Sequence, residues 1–467
     1  MKKSFDFYFL LVFTGAFLFG VSWLIYWGAR AIKIEKLLGV IFMVTGSGIV
    51  LLLKRHYQLK LLILALQILA PYFGFVLVLY FLLGGLSRER STQKVGLYVD
   101  KQPKINPKKC QIDYFKSGGE FFERYLLDIK NASKTVKIYY YIFSGGECQS
   151  RLLSTLFEKL TLGVKITLVA DWYGSGNFYK SQTIRELKKR GATVLCYNRP
   201  RFMFLPKDNI RCHAKVTLID DNILYLPSCN LNDKEILTDK NVAVRISGEI
   251  QQAINEYDYL FIKHKYRGRW RESAPVIGCK NNLSTIKDCL KNESLFTKLN
   301  LPDGKLRIQA LSLIAMAKES VIIVTPYLSL DKIMTWEITK ALLNGVKVSF
   351  IISNKPSKRW CLKLSKMHAD YLYSLGVRVY GKTDSFLHAK AIIVDGKICQ
   401  VGSANFDVRS LREATESTLI CADNRLIAPL LSDFSQYITP QNELFSENKK
   451  AFNTFKRGMI RLLSPLI

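Results

Sequence analysis

Two copies of one short pattern carry the residue types most able to do chemistry. The first runs His213-Ala-Lys215-Val-Thr-Leu-Ile-Asp220 and the second His388-Ala-Lys390-Ala-Ile-Ile-Val-Asp395. A second match follows at the same offset in each copy. It reads Pro227-Ser228-Cys229-Asn230 in one and Gly402-Ser403-Ala404-Asn405 in the other. Duplicated His, Lys, Ser and Asn suggest one composite site with a histidine from each half. Such a set suits group transfer at a phosphodiester. A neutral imidazole attacks phosphorus, and a protonated one serves the leaving oxygen and then the acceptor alcohol. Lys215 and Lys390 supply positive charge to the phosphoryl oxygens. Ser228, Asn230, Ser403 and Asn405 supply fixed donors there. No cofactor or metal is implied. The aspartates read differently. Asp220 and Asp395 belong to the motif and are counted with the catalytic set, yet each falls at a turn, where Asp is favoured for structural reasons.

The segments that position these residues repeat as well. In the first half, strands are expected over 137–143, 163–170 and 192–197, with helices over 152–160 and 184–190. In the second half, strands are expected over 321–327, 345–352 and 376–380, with helices over 336–343 and 367–375. Strands alternating with helices imply an α/β fold with a mixed, largely parallel sheet covered by helices. Each motif then forms a hairpin. Residues 387–394 make one strand, Asp395-Gly396 is a turn signal, and 398–401 return. Asp220-Asp221-Asn222 makes the turn in the first half. On a strand His213 and Lys215 share a face, as do His388 and Lys390. The first half carries about ten extra residues near Arg199–Phe204, a loop able to overhang the site. Tyr139-Tyr140-Tyr141 reads as strand core, and Cys212 and Cys229 as small buried apolar residues. Arg409 and Ser410 read as loop residues near the site.

The rest of the chain points to a bilayer. Residues 7–29, 37–53 and 61–87 carry no charge. A spanning helix needs roughly 20 apolar residues, so the first and third runs are expected to span. The second, interrupted by Gly39, Gly46 and Gly48, is a span or a re-entrant segment. Of the net charge of +30, residues 1–90 hold ten Lys/Arg against three Asp/Glu, leaving +23 in the remaining 377 residues. A basic region beside a membrane suits anionic headgroups. Charge alone would equally suit nucleic acid, but the apolar runs favour lipid and no nucleic acid is expected. Counting Lys and Arg across three spans weighs six to five for a cytoplasmic catalytic region. Ten scattered cysteines without C-x-x-C pairs fit a reducing compartment and argue against zinc.

The duplicated pattern resembles the phospholipase D superfamily, and within it the bacterial cardiolipin synthases. Tyr140–Phe143, Thr325-Pro326-Tyr327, Gly402–Ser410 and Arg461–Ile467 are similar to segments of those enzymes. The resemblance implies a membrane anchor, here residues 1–90, where the apolar runs give about three transmembrane helices against the two typical of those enzymes. Two pseudo-twofold-related α/β/α phospholipase D-like domains would follow, over 91–272 and 273–467, the latter with a basic tail. It implies a multi-pass protein of the bacterial inner membrane. The implied reaction moves a phosphatidyl group from one phosphatidylglycerol to the terminal hydroxyl of another, with glycerol leaving. Water as acceptor would give phosphatidic acid instead, as in a phospholipase D-type hydrolase, and another alcohol as acceptor would make the chain a transphosphatidylase. A non-catalytic lipid-binding protein with a degraded first half is a further reading. In the family a carboxylate about 28 residues after the motif histidine backs it. That offset selects Glu416 for His388, and for His213 it selects Asn241, with Asp239 two residues earlier. Asn241 and Pro227 are the first half's two departures from the pattern. Superfamily order favours His213 as nucleophile and His388 as acid and base, whereas a carboxylate behind His388 argues for the reverse.

Overall fold

Strands β5 (Val216–Ile219) and β12 (Ala391–Val394) are wholly apolar apart from Thr217, and all eight residues are buried. Such strands are buried on both faces. The computed structural model shows what covers them. It describes residues 105–197, 211–262, 282–300, 304–355, 359–412 and 414–445.

Two seven-stranded sheets with identical topology contain all the named strands. The first is ordered β1 (Cys110–Phe115), β7 (Ala243–Gly248), β6 (Ile223–Pro227), β5, β2 (Thr135–Tyr140), β3 (Lys165–Asp171) and β4 (Thr193–Tyr197). The second is ordered β8 (Leu295–Asn300), β14 (Glu416–Cys421), β13 (Ile398–Gly402), β12, β9 (Ser320–Thr325), β10 (Lys347–Ser353) and β11 (Arg378–Lys382). Within each sheet three strands are parallel and the rest antiparallel. The parallel trios are the strands expected from sequence. The flanking strands β1, β7, β8 and β14 were not.

The alternation of side chains along β5 and β12 decides the packing. Val216 and Leu218 face a core that also contains Ala391 and Ile393 from the other sheet. Ile219 faces a core belonging to the first half alone, and Ile392 and Val394 one belonging to the second. The shared core takes Ile254 and Tyr257 from helix Gln251–Ile262 and Leu426 and Leu430 from helix Asn424–Ser435. The two mixed-sheet α/β domains thus share one apolar interior, and the described residues belong to a single compact unit. The expected boundary at 272/273 lies in 263–281, outside the described residues.

The three apolar runs expected to span a bilayer, the overhanging loop near Arg199–Phe204 and the C-terminal tail also lie outside the described residues. Among the described residues no helix is long and apolar enough to cross a membrane. Nine of the ten cysteines are described, and all nine are free. Cys212 and Cys229 are fully buried, as are Tyr139 and Tyr140.

Candidate active site

Each motif straddles the start of a hairpin strand. His213 and Lys215 precede β5, and His388 and Lys390 precede β12. These four residues were expected on the strands themselves. Instead the chain ahead of each strand leaves its own sheet and hydrogen-bonds to the other half. His213 N donates to Thr415 O (2.8 Å), and Thr415 N donates to Arg211 O (2.9 Å). His388 N donates to Lys240 O (2.8 Å), and Lys240 N donates to Phe386 O (2.8 Å). Both links follow one pseudo-twofold rule: the residue just before a backing position pairs with the entry to the opposite motif.

That pairing crosses the backing residues over. His213 Nδ1 lies 3.1 Å from both Glu416 carboxylate oxygens. His388 Nδ1 lies 3.2 Å from Asn241 Oδ1 and 3.2 Å from Glu235 Oε2. The expectation that Glu416 backs His388 and Asn241 backs His213 is therefore corrected. The offset was right, but each backing residue serves the other half's histidine. Asp239 backs neither; its carboxylate binds Lys234 Nζ at 3.0 Å. Glu235 had no sequence signal beyond its charge. It projects from a single π-turn, Lys234–Thr238, closed by Asp239 N to Lys234 O (3.1 Å). Such turns recur at functional sites.

Neighbouring bonds fix the orientations. Asn241 Nδ2 donates to the carbonyls of Glu235 and Asp239, so its Oδ1 is the acceptor. It accepts from Ser228 Oγ (3.0 Å) and from the Nδ1–H of His388. Glu416, fully buried, accepts from Ser403 Oγ and from the Nδ1–H of His213. With Nδ1 holding its proton toward an acceptor, Nε2 is the nitrogen left to react on each ring.

The S-x-N residues do less than expected at a phosphate. The Ser228 and Ser403 hydroxyl protons point to Asn241 and Glu416. Asn230 gives Nδ2 to Glu235 (2.9 and 3.0 Å) and accepts from Ile142 N with Oδ1. These three hold the backing groups in place. Asn405 is buried with its Oδ1 lacking a hydrogen-bond partner.

The motif aspartates are corrected too. Asp220 and Asp395 sit at the far ends of β5 and β12, roughly 20 Å of extended chain from their histidines. The Asp220 carboxylate accepts from Ser133 N, Lys134 N and Thr135 N (2.6–2.8 Å). Asp395 accepts in the same way from Lys318 N, Glu319 N and Ser320 N (2.8–2.9 Å). Both have left-handed backbones, φ 51° and 52°, a conformation that Asp tolerates in hairpin turns. They tie each hairpin to the start of the adjacent parallel strand, β2 or β9, and do not reach the site.

Burial dominates the electrostatics. It pushes His213 below the usual histidine range despite the opposing pull of Glu416. It pushes His388 further down, with Lys390 adding to the effect and Glu235 opposing it. Lys390 falls to about 7, through burial first and then repulsion from Lys215. Lys215 is lowered by burial. Burial alone would raise Glu235, but His388 and the Asn230 bonds outweigh it and hold the carboxyl at about 2. Glu416 is likewise held low by His213 and Lys215 against burial. Both carboxylates stay ionised. Lys215 Nζ donates to His213 O (2.8 Å), and Lys390 Nζ donates to His388 O. Each ammonium thus lies beside its own histidine, and the two lysines repel one another across the pseudo-twofold.

Aromatic side chains edge the histidines. The Tyr141 ring lies 5.2 Å from His213, and Phe386 lies 5.9 Å from His388. Tyr141, read with its neighbours as strand core, is instead a wall of the site. Arg409 acts electrostatically on Tyr141 and on Asp407, whose carboxyl burial raises to about 7. Ser410 is buried, its N bonded to Asp407 Oδ1 at 2.7 Å.

Comparison with known proteins places this arrangement in context. The family described as "Cardiolipin synthase, PLD-like domain" matches residues 125–265 and 310–438. Cardiolipin synthase of Oceanobacillus iheyensis is 27% identical over 387 residues, 80% of this chain and 78% of the relative. That of Listeria monocytogenes is 27% identical over 378 residues, 76% of this chain and 75% of the relative. Phosphatidylserine synthase of Haemophilus influenzae shares the fold, with a TM-score of 0.57 at 16% identity over 81% of this chain and all of that one.

Proposed function

This chain belongs to the cardiolipin synthase, PLD-like domain family and is a phosphatidyltransferase of the phospholipase D superfamily; from that premise we propose the reaction. The donor is phosphatidylglycerol, and a second phosphatidylglycerol is the acceptor. Neutral His213 attacks phosphorus through Nε2. The P–O bond to glycerol breaks, and protonated His388 gives its Nε2 proton to that oxygen. Glycerol leaves, and the phosphatidyl group stays on His213. Neutral His388 then takes the proton from the acceptor's terminal hydroxyl. That oxygen attacks phosphorus, the P–N bond breaks, and its electron pair returns to His213. Cardiolipin forms, and His388 is protonated again.

The observation that carries the reading is the pinning of both Nδ1 atoms by acceptors from the opposite half. Charge supports the division of roles. Phosphorylation of Nε2 makes a ring that keeps its Nδ1–H cationic, so the nucleophile gains most from a full, buried carboxylate. Glu416 supplies one to His213 through a direct hydrogen bond, whereas Nδ1 of His388 is bonded to the amide oxygen of Asn241. The low basicity of His388 fits as well, because an arriving anionic phosphodiester raises it and loads the acid when substrate is present. Lys215 and Lys390 neutralise the phosphoryl oxygens, which matters most in a site closed to water. Glu235 removes the motive for reading the first half as degraded, since a carboxylate is present there after all. The three apolar runs of residues 1–90 and the basic remainder support a multi-pass membrane protein facing anionic lipid. The cysteine content and loop charges favour a cytoplasmic site.

Lipid mass spectrometry of phosphatidylglycerol vesicles with the purified full-length protein tests this. Cardiolipin and glycerol in equal amounts are expected, and H213A and H388A should each lose about 10³-fold or more, within the range for general acid–base and covalent groups. Phosphatidic acid as the sole product, or near wild-type turnover in either variant, contradicts it.

A further inference from the structure

The two halves differ where their symmetry predicts sameness. Eleven residues beyond the S-x-N asparagine stands Asn241 in the first half and Glu416 in the second. Five residues beyond it stands Glu235 in the first half and Ser410 in the second. One half therefore has amide and carboxylate where the other has carboxylate and hydroxyl, at exchanged places. The local backbone differs in step. Glu235 sits in a π-turn, whereas Ser410 sits in the short α-helix Val408–Arg412. Glu235 is 14% exposed by side chain and is clamped by Asn230 N (2.6 Å), Asn230 Nδ2 and Asn232 Nδ2 (3.1 Å). Its Oε2 lies 3.2 Å from His388 Nδ1, whose hydrogen bond goes to Asn241 Oδ1.

We infer that Glu235 is the positioning carboxylate of His388, carrying from a neighbouring turn the negative charge that the strand position Asn241 lacks. The inference rests on the two-histidine reaction proposed above. An amide at 241 accepts the Nδ1 proton and sets the tautomer, but it gives the imidazolium no counter-charge. Glu235 gives that charge from the same side of the ring. The charged groups facing His388 are Lys390, Lys215 and His213, all of which disfavour its protonation, and Glu235, which favours it. Glu235 is the carboxylate that acts most strongly on His388. Asp239 lies beside Glu235 but is neutralised by Lys234. The asparagine of the first S-x-N is thereby recruited as a clamp for Glu235.

The experiment moves the charge and follows the acid. Glu235→Gln keeps the shape and leaves an oxygen to accept from Asn230. It should lower turnover by about 10²-fold, within the range for a general acid, and move the alkaline limb of the pH–rate profile to lower pH, because the imidazolium loses its counter-charge. Adding Asn241→Asp to that variant returns a carboxylate to His388 Nδ1. Turnover should recover to within about tenfold of wild type, and the limb should return. A merely structural Glu235 would move neither the limb nor the rescue. Wild-type rate and profile in E235Q overturn the inference, as does a folded double variant without recovery. Should E235Q fail to fold, the double variant carries the test alone, since it relocates the charge instead of removing it. H388A in the same assay separates the two failures. An active H388A sinks the two-histidine reaction; an inactive H388A beside an unimpaired E235Q sinks this inference only.

Discussion

Glu416 holds Nδ1 of His213 at 3.1 Å although 203 positions separate the two residues in the chain. The contact depends on both sheets, because His213 precedes β5 of one and Glu416 opens β14 of the other. Neither half contains a complete histidine–acceptor pair, so the site exists only when the halves are joined through their shared core.

Replacing Glu416 with Gln should therefore cripple the first chemical step. The phosphorylated imidazole would keep a hydrogen bond and lose its counter-charge. We expect turnover to fall by 10²–10⁴-fold, about the scale of other groups that orient and charge a catalytic histidine. Ser403→Ala removes only one donor to Glu416 and should cost less than about tenfold, near the 1 kcal/mol of one hydrogen bond. Steady-state rates on phosphatidylglycerol vesicles check both, and equal effects from the two variants would contradict the division of labour.

Lys390 should make substrate binding depend on pH. It is pushed down to about 7 by burial and by Lys215. Below that value the ammonium is charged and attracts the phosphodiester. Above it the free site loses the charge, and binding must supply a proton. KM should rise with pH above about 7, while kcat changes less, because the bound anion restores the proton. Lys390→Arg stays charged throughout and should flatten the dependence. A KM of Lys390→Arg that rises as steeply as wild type would be the contrary result.

Much of this site was legible in the sequence, and the failures share one cause. The paired H-x-K and S-x-N offsets, the parallel strand trios and the Asp395-Gly396 turn are local signals, and each lies near its expected place. The backing offset of 28 residues also found Glu416 and Asn241. It could not show that each reaches across the pseudo-twofold, because the Lys240–Leu387 and Cys212–Thr415 pairings join residues over 140 positions apart. Strand β8 was missed for the same reason. Leu295–Asn300 has no neighbour in sequence, and its partner β14 lies beyond residue 415. Glu235 was hidden differently: in Lys234-Glu235-Ile236 it reads as an exposed turn charge, and only the π-turn aims it inward.

The motif aspartates should matter to stability and not to chemistry. Asp395→Asn retains one acceptor oxygen where three backbone amides converge. It should cost about 1–3 kcal/mol, with turnover per folded molecule close to wild type. Both carboxyls are held below their ordinary range by those amides. Their contribution is present above the unfolded carboxylate value near 3.9 and disappears as pH falls through the lower folded value. Denaturant melts at pH 7 and pH 3 check this: the gap between wild type and variant should narrow in acid. A gap unchanged at pH 3 would be at odds with it.

The central claim is that the phosphatidyl group passes through His213 with His388 as its proton partner. Wild-type protein should be mixed with phosphate-labelled phosphatidylglycerol, quenched without acid within one turnover, digested and mapped. The label should lie on the peptide containing His213 and be missing from H213A. Label on His388, or a wild-type enzyme that turns over with no covalent label at any time point, would contradict the account.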